Sequence, residues 1–328
     1  VTLSATTPAL VVREAGGPEV MRLEDWPIAP PGPGQVRVRQ RAIGVNFIDV
    51  YQRSGLYPQK LPVVVGNEGA GEIVAVGEGV TGLAEGDRVG YASVIGAYAQ
   101  ERLLPADRAF RLPDGIDFDI AAAVMLKGTT AWYLLFRTFM VGPGDTILWH
   151  AAAGGVGQLA CQWAKALGAR VIGTAGSAEK LAIALASGCE AAINYSDGPF
   201  APRVRELTGG AGVDVVYDGV GQATFEASLD CLKPRGLMVS FGNASGVVSI
   251  PDLGILARKG ALYVTRPTTA PYLADPEEYR TAMTDLFAAI GAGLVKVGIT
   301  GRYALADAGQ AHAGLAARRT TGSVILAA

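Results

Sequence analysis

Between Asp145 and Gly157 the chain reads DTILWHAAAGGVG, and this stretch restricts the fold more than any other. Thr146 to Trp149 is an apolar run with no turn residue, the pattern of a buried strand. Glycines break it, and VGQLACQWAKALG continues at helical spacing, with Val156, Leu159, Ala160, Trp163 and Leu167 on one face. Arg170 to Thr174 is the next β-rich run. Strand, glycine turn, helix and strand make the βαβ unit that cradles a dinucleotide. Gly154 allows the backbone to approach a pyrophosphate, Gly157 allows the helix to pack closely on the strand, and free N–H groups at the helix start face the phosphate charge. The full GxGxxG pattern wants glycine where Ala152 stands, so the turn is the variant Ala151-x-x-Gly154-x-x-Gly157.

The end of the second strand selects the cofactor. A site for NAD places an acid there, about 20 residues past the turn, on the ribose 2′-hydroxyl. Here the segment is Gly173-Thr174-Ala175-Gly176-Ser177-Ala178-Glu179-Lys180, without a carboxylate at the strand tip. Ser177 can donate to a 2′-phosphate and Lys180 can neutralise it, while Tyr195 follows the next strand and would close over the same region. The expected cofactor is NADPH. Taken singly, Lys180 reads as a solvated helix lysine.

The 328 residues carry a net charge of −2 and are half apolar, enough for two domains with their own cores and without the basic footprint of a nucleic-acid or membrane-surface binder. The N-terminal VTLSATTPALVVREAGG has neither the charged start nor the apolar core of a secretory signal. The most apolar helix, around AAAVMLKGTTAWYLLFRTFMV, is interrupted by Lys127 and Arg137 and reads as a core helix. Cys161, Cys189 and Cys231 are too few and scattered for a disulfide framework or a zinc cluster. A cytoplasmic location is expected.

Residues 1 to 125 read as short strands set off by Gly and Pro: Val36 and Val38 alternate with Arg37 and Arg39 after the breaker run Ala29–Gly34, and Gly86-Asp87 is a turn. The pattern then changes to helices alternating with strand candidates Ile147–Trp149, Val171–Thr174, Ala192–Asn194, Val213–Tyr217, Leu237–Phe241 and Ala261–Thr265, which suits a parallel sheet. After Asp275 come a helix, the strand-like KVGITGRYAL, a short helix near Gln310–Ala317 and the strand SVILAA. This tail looks like the first segment. The expected division is a β-rich domain of residues 1–125 and 266–328, into which a nucleotide domain of residues 126–265 is inserted.

The chain resembles the quinone oxidoreductase (zeta-crystallin-like) branch of the medium-chain dehydrogenase/reductase superfamily over essentially its whole length. The motifs are VNFIDVYQRSGLYP (Val45–Pro58), MLKGTTAWYLL (Met125–Leu135), HAAAGGVGQLACQWAKALGA (His150–Ala169), LKPRGLMVSFGNASG (Leu232–Gly246), YVTRP (Tyr263–Pro267) and RRTTGSVIL (Arg318–Leu326), most similar to bacterial NADPH:quinone reductases. The resemblance implies an α/β plus β fold, a Rossmann-type doubly wound sheet inserted into a GroES-like domain. Zinc dehydrogenases of the superfamily carry Cys where this chain has Asn46 and His where it has Asn67. No Cys precedes Cys161, and Asp49 and Glu68 cannot build a tetrahedral site alone, so no metal is expected.

The resemblance implies hydride transfer from NADPH to a quinone in an interdomain cleft. Asn46, Asp49, Tyr51 and Tyr57 would line it near the nicotinamide, with Arg266 reaching in. Tyr51, Tyr57 or Arg266 would stabilise the negative charge that develops on the acceptor oxygen, Tyr51 foremost. For Asn46 and Asp49 the plain alternative is a hydrogen-bonded pair holding a turn. Thr130, at the start of the KGTTA helix, would meet the nicotinamide amide with Lys127 nearby. Gly154, Gly155 and Val156 would form the pyrophosphate turn, and Phe241, Gly242, Asn243 and Ser245 would pass beside the ribose. Arg318 would join Lys180 and Ser177 on the 2′-phosphate, next to Gly176, although neighbouring Arg319 leaves the register open by one. His150 and His312 read as structural.

Competing readings are reduction of an activated C=C bond in an enone or 2-alkenal, a cofactor-binding sensor without turnover, and a structural or RNA-binding crystallin-like role, the last opposed by the charge balance. A homodimer is expected through the apolar run Gly260–Thr265 at the edge of the nucleotide sheet.

Overall fold

The computed structural model describes residues 5–328; Val1–Ser4 of the N-terminal stretch lie outside the described residues. In chain order the strands are β1 (Ala5–Val12), β2 (Met21–Ile28), β3 (Gln35–Val45), β4 (Val63–Val64), β5 (Glu68–Val76), β6 (Arg88–Ala92), β7 (Glu101–Pro105), β8 (Phe110–Arg111), β9 (Thr146–Trp149), β10 (Arg170–Ala175), β11 (Ala191–Asn194), β12 (Val213–Asp218), β13 (Leu232–Ser240), β14 (Tyr263–Thr265), β15 (Ile299–Ala304) and β16 (Ser323–Ala327). The helices are α1 (Phe47–Ser54), α2 (Phe118–Tyr133), α3 (Gly155–Ala166), α4 (Ala178–Ala186), α5 (Phe200–Leu207), α6 (Phe225–Cys231), α7 (Gly254–Arg258), α8 (Thr269–Tyr272), α9 (Pro276–Gly291) and α10 (Ala308–Ala316). The chain forms two compact units. One comprises the described part of Val1–Thr129 with Leu273–Phe287 and Val297–Ala328, and the other Thr130–Tyr272 with Ala288–Lys296.

The first unit is β-rich. A seven-stranded sheet runs β15-β16-β3-β5-β6-β8, with β7 also on β3, and a three-stranded sheet runs β2-β1-β4. Strand β3 organises it, because residues on its two faces alternate between buried Val36, Val38 and exposed Arg39. The core gathers Leu10, Val36, Ile43, Ile73, Val89, Tyr91, Tyr98, Leu104 and Leu326. The last strand, β16, pairs antiparallel with β3, Val324 opposite Val45. The tail thus completes the sheet that the first segment began.

The second unit is a six-stranded parallel sheet in the order β11-β10-β9-β12-β13-β14. All six strand candidates read from the sequence are present. Helix α3 forms because Leu159, Ala160 and Trp163 recur at helical spacing and are buried, with Val156 and Leu167 half-buried at the flanks. The strand order reverses at β9, with β10 on one side and β12 on the other. In open parallel sheets a ligand crevice forms at the carboxyl ends beside such a switch point.

Candidate functional site

In the nucleotide unit the turn after β9 is built as a cradle. Ala151 takes a left-handed φ of 53°, and Gly154 N donates to Ala151 O at 2.9 Å, closing a tight turn. Gly154 caps α3 without a side-chain hydrogen bond, leaving the first-turn N–H groups uncovered by a capping side chain. Gly157 is the stricter requirement: a Cβ there would lie 2.5 Å from Ala151 O and 2.8 Å from Ala152 Cα, both backbone atoms. Close packing of helix on turn therefore excludes any side chain at that position.

Strands β10 and β11 are neighbours, with Ala175 opposite Asn194, so the segments after them emerge side by side. A Cβ on Gly176 would come within 3.0 Å of the Tyr195 hydroxyl, so Tyr195 lies against this backbone. Ser177 is the N-cap of α4, its Oγ accepting from Lys180 N at 3.4 Å. The four residues Gly176, Ser177, Lys180 and Tyr195 are thus brought to one corner, without an acid at the tip of β10. After β13, Phe241 N donates to Asp218 O, and the Phe241 ring stands 5.6 Å from that of Trp149. Ser245 Oγ donates to Val220 O at 2.8 Å and accepts from Ala223 N at 3.0 Å, so this hydroxyl ties the loop after β13 to the loop after β12. Gly242 packs on Gly219 O, with Asn243 next in the same loop. Arg266 follows β14 and donates from Nη1 to Ser240 O at 2.7 Å.

In the β-rich unit Asn46 is the N-cap of α1 and Asp49 its third residue; Asn46 N donates to Asp49 Oδ2 at 2.8 Å. That contact is half of a capping box. Asn46 Nδ2 donates to Glu68 Oε1 at 2.7 Å, and Asn67 Nδ2 donates to Asp49 Oδ1 at 2.6 Å and Gln52 Oε1 at 2.7 Å. Glu68 also receives Lys127 Nζ at 2.6 Å and Leu126 N at 2.6 Å, wholly inside the protein. Tyr98 donates to Asp49 Oδ2 at 3.1 Å and meets His312 Nε2 at 2.8 Å. Burial pushes the Asp49 carboxyl up to about 7, against the opposing donors Asn67 and Asn46 and with help from the Glu68 charge. Helix α1 ends at Gly55, φ 82°, and the chain turns back so that Tyr57 N donates to Tyr51 O and their rings lie 5.2 Å apart.

Some details differ from expectation. Thr130 is in the last turn of α2, which begins at Phe118, and not at a helix start; the glycine in KGTTA is carried inside the helix because Gly128 packs against Leu286. Arg318 adopts a left-handed φ of 55° just after α10. Arg319 instead lines a pocket of about 340 Å³ with Thr300, Tyr303, Gln310, Thr320 and Thr321. His150 does have a serine neighbour, Ser228, at 2.8 Å, with Thr174 at 2.8 Å on its other nitrogen. Ser228 donates onward to Thr224 O, and burial lowers the His150 pKa, so this is a buried neutral imidazole holding β9 to α6. Glu68, Gln52, Tyr98 and His312 were not legible as partners of the asparagines, because each is brought there from a separate element.

A zinc ion does not fit this donor set. Both carboxamides direct their N–H groups at carboxylates, so what faces Asp49 and Glu68 is hydrogen-bond donors, not lone pairs for a cation. Among the described residues, no group of three or more His, Cys, Asp or Glu could hold a metal ion.

Comparison with known proteins identifies the family. Residues 32–114 match the alcohol dehydrogenase GroES-like domain, and residues 155–289 match the zinc-binding dehydrogenase family. A quinone oxidoreductase of Pseudomonas aeruginosa is 56% identical over 95% of this chain and 96% of its own length. A 2-haloacrylate reductase of a Burkholderia species is 44% identical over 97% and 98%. The crystal structure of Escherichia coli quinone oxidoreductase complexed with NADPH superimposes with a TM-score of 0.96 at 48% identity, covering 98% of this chain and all of the other. The GroES-like sheet and the parallel nucleotide sheet define a medium-chain dehydrogenase/reductase. Within that superfamily the chain belongs to the quinone oxidoreductase family.

Proposed function

We propose that the protein is a zinc-independent, NADPH-dependent reductase that passes hydride to a quinone. The corner formed by Gly176, Ser177, Lys180 and Tyr195 carries this reading. It offers a cation and hydroxyls, and the tip of β10 carries no carboxylate where a 2′-phosphate would repel an acid. The E. coli relative bound to NADPH supports it. NADPH supplies the hydride when bound; everything else falls to the chain. Gly154, Gly155 and Val156 would receive the pyrophosphate at the start of α3, and Gly176 leaves room beside Tyr195. Arg318 is the proposed second cation for the 2′-phosphate. Lys127, Thr130, Phe241, Gly242, Asn243 and Ser245 are the further proposed cofactor residues. Ser245 and Lys127 act by holding their surroundings, since both are committed to protein partners. Asn46 and Asp49 fix the start of α1, which carries Tyr51. Tyr51 is the residue proposed to hydrogen-bond the acceptor oxygen, with Tyr57 and Arg266 as further candidates.

Reduction of an activated C=C bond is the second reading, favoured by the 44% identical 2-haloacrylate reductase. A homodimer through β14 is also proposed: it ends the parallel sheet, and Tyr263 on it is 62% exposed. No helix among the described residues is long and apolar enough to cross a membrane, and a cytoplasmic location is proposed.

Stopped-flow oxidation of NADPH against 1,4-benzoquinone, 9,10-phenanthrenequinone, a 2-alkenal and 2-chloroacrylate tests the reading, with NADH as control. Fast quinone turnover that prefers NADPH supports it. Turnover of the alkenal or haloacrylate alone moves the function to double-bond reduction. Tight NADPH binding without turnover of any acceptor refutes both.

A further inference from the structure

Asp49, Tyr98 and His312 come from α1, from the segment before β7, and from α10, and each is buried, at 0% exposure. The Tyr98 hydroxyl lies between the other two, 3.1 Å from Asp49 Oδ2 and 2.8 Å from His312 Nε2, with the two rings edge to face at 74°. A phenol has one proton to give, so it donates to one neighbour and accepts from the other. With Asp49 ionised, Tyr98 donates to the carboxylate and His312 donates from Nε2 to the phenol oxygen. With Asp49 protonated, every bond in the row runs the other way. Asn67 donates to Oδ1 and Asn46 N to Oδ2, so the proton that reverses the row sits on the side of Oδ2 that faces Tyr98.

The reversal balances with one proton. Counted between the two end states, one proton is gained at His312 Nδ1, the Nε2 proton passes to the Tyr98 oxygen, and the Tyr98 proton passes to Asp49 Oδ2; because Nδ1 is buried, the uptake from solvent requires local opening around His312. No bond between heavy atoms forms or breaks. His312 stays neutral and changes only its tautomer. Its Nδ1 is buried and has no hydrogen-bond partner among the described residues, so no protein bond locks that nitrogen as donor or acceptor, and an N–H there carries the cost of an unpaired buried donor.

The surrounding charges favour this exchange over a simple imidazolium. Burial and the nearby Arg53 guanidinium push His312 down to about 3. Arg53, itself buried beside Glu19 and Tyr98, opposes a positive charge on the ring. On the other side Glu68, paired with Lys127, opposes a negative charge on Asp49. Tyr91, under Arg102, completes the ionisable groups around the carboxylates and stays a neutral phenol because burial raises its pKa. Burial of Asp49 places its titration at about 7.

We propose that Asp49, Tyr98 and His312 form a proton-coupled relay whose direction sets the charge at the start of α1, making His312 a remote positioning residue for the helix that carries Tyr51. The relay itself does not depend on the acceptor; its bearing on turnover rests on the reductase reading.

The chain has two histidines, so ¹⁵N-histidine NMR of the full-length protein resolves the question directly. His150, held by Thr174 and Ser228, is the internal control. The expected result is Nε2–H on His312 at pH 8.5 and Nδ1–H at pH 5.5, with a midpoint near 7, while His150 is unchanged. Tyr98→Phe cuts the row and Asp49→Asn fixes its end, so in either variant the His312 tautomer stops following pH. A constant tautomer in the folded wild type, or a response that survives in both variants, overturns the proposal. Loss of quinone turnover alone would overturn only the reductase reading, because the NMR signal needs no substrate.

Discussion

Asn67 Nδ2 stands 2.6 Å from Asp49 Oδ1, and the same nitrogen lies 2.7 Å from Gln52 Oε1. A single amide thus satisfies two acceptors from successive turns of α1. Where zinc dehydrogenases of the superfamily present a histidine, this chain presents a donor already in use.

Metal content follows from that arrangement. Purified protein should contain far less than one zinc per chain by elemental analysis, and treatment with a chelator should leave NADPH oxidation unchanged. One tightly held zinc per chain would contradict the donor assignment of Asn46 and Asn67.

The buried pair of Lys127 and Glu68 gives a stability prediction. Lys127→Met leaves the Glu68 carboxylate buried without its ammonium, which should cost about 3–5 kcal/mol in urea unfolding. Adding Glu68→Gln should return much of that loss, because it removes the stranded charge. Equal losses in the single and double variants would show that the ion pair is not what the lysine contributes.

Gly157→Ala places a methyl against the Ala151 carbonyl and the Ala152 Cα, neither of which can rotate aside. The expected cost is about 1–3 kcal/mol of stability, with weaker NADPH binding because the turn must open. Thermal unfolding and fluorescence titration with NADPH read the two effects separately.

Lys180→Ala should raise the KM for NADPH roughly tenfold and leave that for NADH nearly unchanged, the loss of about one charge-assisted hydrogen bond. Ser177→Ala should in addition lower stability by about 1 kcal/mol, since Ser177 caps α4. An equal effect of Lys180→Ala on both cofactors would remove the 2′-phosphate from the argument.

The pH dependence of stability has two opposed parts. Asp49 is raised from 3.8 to about 7, so the folded state holds the extra proton and stability falls as pH rises through that window. His312 is lowered from 6.5 to about 3, so the unfolded state holds the extra proton and stability rises with pH across that range. Between about 4 and 6.5 the two slopes cancel. Asp49→Asn should expose the rising slope and His312→Gln the falling one, each up to about 1.4 kcal/mol per pH unit. Urea unfolding at several pH values measures both, and two flat profiles would mean that neither group is perturbed.

The nucleotide sheet was legible because its strands are short apolar runs separated by glycines, and because β9, the turn and α3 follow one another without interruption. The grouping of the proposed cofactor corner was legible for the same reason: Gly176, Ser177 and Lys180 are local in sequence, and Tyr195 follows the adjacent strand. The polar cluster was only half legible. The Asn46–Asp49 pair is three residues apart and could be read as a turn-holding contact, which the capping bond shows it to be. Tyr98 and His312 are 49 and 263 positions from Asp49, and no local pattern marks a residue whose partner arrives from another element. His312 sits in AGQAHAGLA, which reads as a polar helix, yet small alanines around it let the ring bury completely.

The pairing of β16 with β3 also bears on how the chain is made. Val45 leaves the ribosome nearly 280 residues before Val324, its partner across the sheet. During synthesis the parallel sheet, whose strands all lie between Thr146 and Thr265, has every strand available before the β-rich sheet can close. Until then the apolar end of β3, Ala42–Val45, lacks its β16 partner. Truncations or ribosomal pauses after Thr265 should therefore yield a folded nucleotide sheet attached to a sticky, unfinished one, the species that chaperones would be called on to shield.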